Sequence, residues 1–254
     1  MKKVFAFVFM FTLIASSTSY ALPLAEFDVS VGVAKPAPSG DITYSGAALD
    51  LKDTLGLATG SDTILRLDIK HSIPILPNIY LHHLPIKVEG EKELTQTITY
   101  GSQTFSATTK VASILELGQD DIGLYYRVPF VATATHEVVE LKAGLNIRML
   151  SFKASITAAA LNKTEEKSFS SPIPMIYAGL DINPFEYLSL VADLKMLSVG
   201  GNSMTEYSAE LRIKPVHFFY LGAGYASESI KIDTNDVKAN INFAEPYFFL
   251  GAAF

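Results

Sequence analysis

The 254-residue chain has no cysteine and no tryptophan, and only 18% of its residues are charged. The missing cysteines exclude disulfides, thiol catalysis and a lipid anchor on a cysteine. No apolar run after Ala21 approaches the roughly 20 residues of a membrane helix. Basic residues are also scarce. With Lys2 and Lys3 removed, 18 basic residues face 26 acidic ones, a net charge of −8. That balance excludes nucleic acid as an expected partner. No sequence signature of a cofactor is present.

The start reads MKKVFAFVFMFTLIASSTSYA: two lysines, an apolar run from Val4 to Ala15, then a small-residue step at Ser19-Tyr20-Ala21. This pattern predicts a signal peptide over 1–21, with 22–254 exported as one domain. A half-apolar exported chain without membrane helices is expected to be a β-sandwich or a closed β-barrel.

Period-two alternation recurs along the chain. In YSAELRIK, Tyr207, Ala209, Leu211 and Ile213 oppose Ser208, Glu210, Arg212 and Lys214. In TILRLDIKH, Leu65, Leu67 and Ile69 oppose Arg66, Asp68 and Lys70. Over 138–149 the apolar odd positions oppose Glu140, Lys142 and Arg148. Short proline-bearing turns at 73–77, 128–136, 183–185 and 215–217 alternate with Gly/Asn/Asp/Ser-rich connections at 35–62, 101–103, 162–167, 200–202 and 234–236. Nine connections make ten strands, near 27–34, 63–72, 78–100, 103–127, 137–160, 168–182, 187–199, 204–214, 218–233 and 237–254. Eight or twelve strands are the alternatives to this count. The apolar parity changes along 111–126, which predicts a bulge at 118–121.

The predicted class is therefore an all-β, antiparallel, up-and-down transmembrane barrel in the outer membrane. Short turns are expected in the periplasm and longer hairpins outside. Aromatics near the short turns (Phe27, Tyr80, Tyr125, Tyr126, Phe130, Phe185, Tyr187, Phe218, Phe219, Tyr220, Phe248, Phe249 and Phe254) are expected to form an interfacial girdle. A soluble sandwich would leave YFFLGAAF (247–254) as an exposed apolar edge, an aggregation hazard. In a barrel that strand closes on Phe27 to Ala34. Phe248, Leu250, Ala252 and Phe254 then form an alternating terminal signal for barrel-assembly machinery.

The blocks SGDITYSGAALDLKDTLGL (39–57), PILPNIYL (74–81), YGSQTFSA (100–107), GLYYR (123–127) and SPIPMIYAGLDI (171–182) resemble a family of small Gram-negative outer-membrane β-barrel proteins, associated with genomes that encode GlyGly-CTERM proteins. The resemblance runs from the leader to Phe254. It implies an outer-membrane barrel and supplies neither an activity nor catalytic residues. KVEGEKELTQTITY (87–100) departs from it in being more charged.

The inward charges are the candidate site: Asp28, Arg66, Asp68, Lys70, Arg127, Glu140, Lys142, Arg148, Asp181, Asp193, Lys195, Glu210, Arg212 and Lys214. Their mixed signs permit cross-strand pairing, and a barrel near eight strands is filled by side chains. The expected role is structural or surface-interactive rather than enzymatic, with lipid and lipopolysaccharide as neighbours. The alternative is a narrow pore for ions or small solutes, and a lipid-modifying enzyme built around His82 is a remote third reading. The ten-strand register puts His71, His82, His83, His136 and His217 toward the periplasm, away from the acidic far side where a surface protease of the omptin type would need them. Asp41, Asp50, Asp53 and Asp62 match no calcium-loop pattern and are expected to be solvated loop charge. The residues do not indicate an oligomeric state.

Overall fold

The computed structural model describes residues 25–254 apart from 74, 217, 235 and 236. The predicted leader and His217 lie outside the described residues. The strands are β1 (Ala25–Ala34), β2 (Ala37–Tyr44), β3 (Leu49–Asp50), β4 (Asp62–His71), β5 (Asn78–Glu93), β6 (Ile98–Tyr100), β7 (Gln103–Phe105), β8 (Lys110–Arg127), β9 (Val139–Ala158), β10 (Lys163–Phe185), β11 (Leu188–Val199), β12 (Asn202–Val216), β13 (Phe219–Asp233) and β14 (Val237–Ala253). Ten of them (β1, β4, β5 and β8 to β14) pair antiparallel in chain order, and β14 closes on β1 from Asp28↔Ala253 to Ala34↔Tyr247. At the seam the Phe27 N–H donates to the Phe254 carbonyl at 2.8 Å, the Phe254 N–H donates back at 2.9 Å, and the two rings stack. Closure pairs the apolar terminal strand on both sides, so that strand presents no open edge.

The outer face carries an apolar band of four or five alternate residues per strand on most strands. It includes Val31 and Val33 on β1, Leu145, Ile147 and Met149 on β9, Leu190, Leu194 and Met196 on β11, Leu211 and Ile213 on β12, and Phe248 and Leu250 on β14. Four or five alternate positions span about 8–10 residues, close to the roughly 9–11 that a tilted strand needs to cross a bilayer. Tyr126, Phe130, Phe185, Tyr187, Phe218 and Phe254 lie exposed at the short-turn end, as a girdle requires. Four aromatics expected in that girdle do not join it. Tyr80, Tyr125, Tyr220 and Phe249 occupy inward positions of their strands and fill the lumen.

The expected bulge at 118–121 is absent. β8 keeps one-to-one register with β5 from Asn78↔Tyr125 to Glu93↔Lys110, and with β9 from Ala112↔Thr157 to Arg127↔Lys142. Its odd residues face inward throughout, from Val111 to Tyr125. What changes is the surroundings. Near the rung Pro85–Gly118–Ser151–Ser170 the outer face leaves the bilayer, and above it the apolar residues point in and the polar ones out. Ile86, Val88, Leu115, Leu117, Phe152 and Ile156 therefore face inward in an apolar core, while Lys87, Glu116 and Lys153 face water. The register shifts that do occur lie near Pro184 on β10 and Pro215 on β12, because proline cannot donate to the ladder.

Two far-end connections also differ from expectation. The long strands predicted over 78–100 and 103–127 stop at Glu93 and start at Lys110, and residues between them fold as the β6–β7 hairpin. That hairpin covers the far mouth: Tyr100 and Phe105 are buried, the Gly101 N–H donates to the Tyr44 carbonyl, and the Tyr100 hydroxyl donates to the Ala154 carbonyl. The predicted first loop, 35–62, is not solvated coil. β2 continues β1 along β14 from Ala37↔Ala244 to Tyr44↔Val237, and residues 45–61 then fold back so that Leu49, Leu51, Leu55 and Leu57 are buried. Two of the four acids of this region, Asp50 and Asp62, serve the backbone. Asp50 Oδ1 accepts from the Lys52 and Asp53 N–H groups, and Asp62 Oδ2 accepts from that of Lys87. The short-turn connection at 128–136 contains one helical turn, α1 (Pro129–Ala134), with proline at its start where no N–H partner is needed.

Candidate functional site in the barrel lumen

Inward residues of the membrane-spanning strands meet in two charged layers. Nearest the short turns, Lys142 Nζ lies 2.6 Å from Asp181 Oδ2, and the Tyr177 hydroxyl donates to Asp193 Oδ1 at 2.6 Å. The Tyr125 hydroxyl lies 2.9 and 3.0 Å from the two Asp68 oxygens. Arg212 joins Glu210 at 2.8 Å and Asp28 at 3.3 Å, Arg66 pairs with Glu210, and Tyr220 donates to Asp28. A cavity of about 90 Å³ lies among Arg66, Asp68, Lys70, Lys142, Asp181 and Asp193. It has room for several waters, each needing roughly 10–15 Å³ of such space. Arg127 and Glu140 pair at 3.5 Å at the rim, and Lys214 holds an inward position there.

The second layer centres on Arg148. Its Nε and Nη2 reach the two Asp121 oxygens at 2.7 and 2.8 Å, its Nη1 reaches Glu228, and its Nη2 also meets Glu206. Lys195 Nζ bridges Asp121 at 2.7 Å and Glu206 at 3.1 Å, and Gln119 Nε2 donates to Glu228 at 2.6 Å. The Arg212 and Asp28 side chains remain 20% and 21% exposed, whereas those of Arg148 and Asp121 are 0% exposed. Exposure of the lumen side chains therefore falls from the short-turn end to this layer. Beyond it, buried Glu245 is followed by the apolar core.

Tyrosine and phenylalanine rings fill the space between the charges, four of them lying over a cross-strand glycine. Tyr80 pairs in register with Gly123, where a Cβ would come within 1.8 Å of the ring; Tyr247 lies over Gly224 and Tyr220 over Gly251 in the same way. The rings of Tyr80 and Tyr125 approach Tyr177 at 5.0 and 5.8 Å, spanning the lumen.

All fourteen predicted lumen charges occupy inward positions, and the structure joins most of them into these networks, with Lys70 lining the cavity and Lys214 at the rim. Asp121, Glu206, Glu228 and Glu245, the carboxylates around Arg148, were missed. Asp121 lay in the expected bulge, where its face was ambiguous. Glu206 shares the even parity of Glu210 and Arg212, a signal already present in the strand. His82 lies in the short-turn half of β5, as expected. It points into the lumen at the second layer, with Nδ1 3.7 Å from Asp121 and Nε2 without a hydrogen-bond partner. His83 faces outward and meets Asp120 at 2.5 Å, so the two rings cannot share a ligand. Among the described residues no cluster of His, Asp and Glu has metal-binding geometry. Phe248, Leu250 and Ala252 lie on the outer face of β14, and Phe254 follows at the seam.

A closed ten-stranded barrel, apolar outside across one band and charged within, defines a transmembrane β-barrel of the outer-membrane class. The chain is similar to the attachment invasion locus protein Ail of Yersinia pestis, solved with the heparin analogue sucrose octasulfate (14% identity, 91% of this chain and 99% of that one, TM-score 0.40). It is also similar to the outer membrane protease OmpT of Escherichia coli (11%, 94% and 99%, TM-score 0.49) and to the outer membrane protein OprG of Pseudomonas aeruginosa (13%, 91% and 96%, TM-score 0.38). No protein-family model matches the chain, and no curated protein does. These likenesses are ones of barrel architecture, and no activity transfers with them.

Proposed function

We propose that this chain is a non-enzymatic outer-membrane barrel with a sealed lumen, serving a structural or surface-interaction role through its far-end elaboration. In this reading the termini and short turns face the periplasm, and the capped, core-filled end stands outside beside lipopolysaccharide. Phe248, Leu250, Ala252 and Phe254 serve as the strand read by barrel-assembly machinery. The observation that carries the reading is the Arg148 layer, fully buried and saturated by Asp121, Glu206 and Glu228, directly beneath a continuous apolar core. A mixed-sign, mutually paired interior blocks ions rather than selecting them. Planar-bilayer recording of the refolded protein tests this: the expected result is no discrete conductance, and reproducible steps at low voltage would support the narrow-pore reading instead.

A further inference from the structure

The barrel wall is not a continuous ladder all the way up. The β4–β5 pairing ends at Leu65↔His83, yet β5 runs on to Glu93 with β8 as its one ladder partner among the described strands. On the other side of the gap, β2 is paired to β14. Residues 45–61 fill the opening between these edges. They hold to β2 by the rungs Asp41↔Asp50 and Ile42↔Leu49 and the Leu51 N–H to Gly40 carbonyl bond. They hold to β5 by the Leu57↔Gly90 bridge and the Ala58 N–H to Glu89 carbonyl bond, and to the β1–β2 junction by Gly60. This is a short, irregular stave in a wall otherwise made of long ladders, and sparsely bonded segments open most readily.

Behind it lies an apolar chamber walled by Ile42, Tyr100, Leu115, Ala154 and Ile156 and filled by Leu51, Leu55 and Leu57, leaving a void of only about 10 Å³. We propose that residues 45–61 are a displaceable stave, and that the chamber takes the alkyl chain of a membrane amphiphile in place of those leucines. Exposing buried leucines to water opposes opening in the empty protein. An alkyl chain occupying the same volume removes most of that opposition. The gap also begins where such a chain would arrive. Its last rung holds Leu65, which continues the outward apolar row of Leu67 and Ile69, and the next inward residue of β5, Leu84, already belongs to the core. A trough of about 550 Å³ on the wall, lined by Asp62, Pro85, Lys87, Ser151, Lys153 and Ser170, reaches the same edge and offers polar groups to a headgroup.

The chain has no cysteine, so a single designed crosslink tests the stave. Ala58 and Glu89 face each other beside the Leu57↔Gly90 bridge, within disulfide reach of an antiparallel pair. The A58C/E89C protein, refolded into phosphatidylcholine vesicles, is exposed to diazirine-bearing palmitic acid in reduced and oxidised forms, and labelled residues are mapped by mass spectrometry. Heat-modifiable migration verifies folding in both. The expected result is labelling at Ile86, Val88, Leu115 and Ile156 when reduced, falling at least tenfold on oxidation, with labelling of lipid-facing Leu145 and Leu211 unchanged. In the wild-type chain, excess unlabelled palmitic acid is expected to suppress the inward labels and spare the lipid-facing ones. Inward residues that stay unlabelled in the wild-type and reduced proteins, or label equally when locked, would overturn the proposal.

Discussion

Replacing Arg148 by Met keeps much of its aliphatic volume and removes the one cation that, among the described residues, touches Asp121, Glu206 and Glu228 together. The three losses are unequal. Asp121 and Glu206 retain Lys195 at 2.7 and 3.1 Å, while Glu228 retains only the Gln119 amide at 2.6 Å. Leaving a buried charge without its partner costs about 3–5 kcal/mol, and most of that cost falls on Glu228. The charge-neutral double variant R148M/E228Q is therefore expected to recover about 1–3 kcal/mol, the scale of a hydrogen bond to a charged group. Urea unfolding of the wild-type, both single variants and the double variant in lipid vesicles gives the cycle directly. A loss below about 1 kcal/mol for R148M, or no recovery in the double variant, would refute the claim that this layer is a saturated, fully buried network.

Ile147 lies within the lipid-facing row and Ser151 four residues further up the same face; Ile147→Lys is expected to cost about 2–4 kcal/mol and Ser151→Lys close to nothing, and equal costs would misplace the membrane boundary. Leu55→Ala removes buried volume from the stave and is expected to destabilise by about 2–5 kcal/mol, read as a lower urea midpoint. Gly123→Ala drives a Cβ into the Tyr80 ring and breaks its 2.7 Å bond to Asn146, so a loss of about 1–3 kcal/mol with altered near-ultraviolet dichroism should follow. At the far end, burial raises the Asp62 carboxyl above its ordinary range against the Lys87 N–H bond that lowers it. A raised folded value means that protonation favours the folded form. Its contribution is therefore present at low pH and lost as pH rises through that range, and Asp62→Asn should remove this slope from a pH series of unfolding midpoints.

The all-β class, the ten antiparallel strands, the seam between Phe27 and Phe254 and the inward side of every predicted lumen charge were legible in the sequence. Each follows from period-two alternation, and that period is a property of the extended backbone itself. Alternation does not say which medium each face meets. In β8 the odd face holds Tyr125 and Asp121 within the bilayer and Leu117 and Leu115 above it, and on sequence alone that switch is indistinguishable from a bulge. Only the packed barrel decides it, because the rung at which lipid gives way to water depends on the register of all ten strands together. The same holds for Leu49, Leu51, Leu55 and Leu57. They look like a loop's scattered apolar residues until the ladder between β4 and β5 stops short and leaves them a chamber to fill.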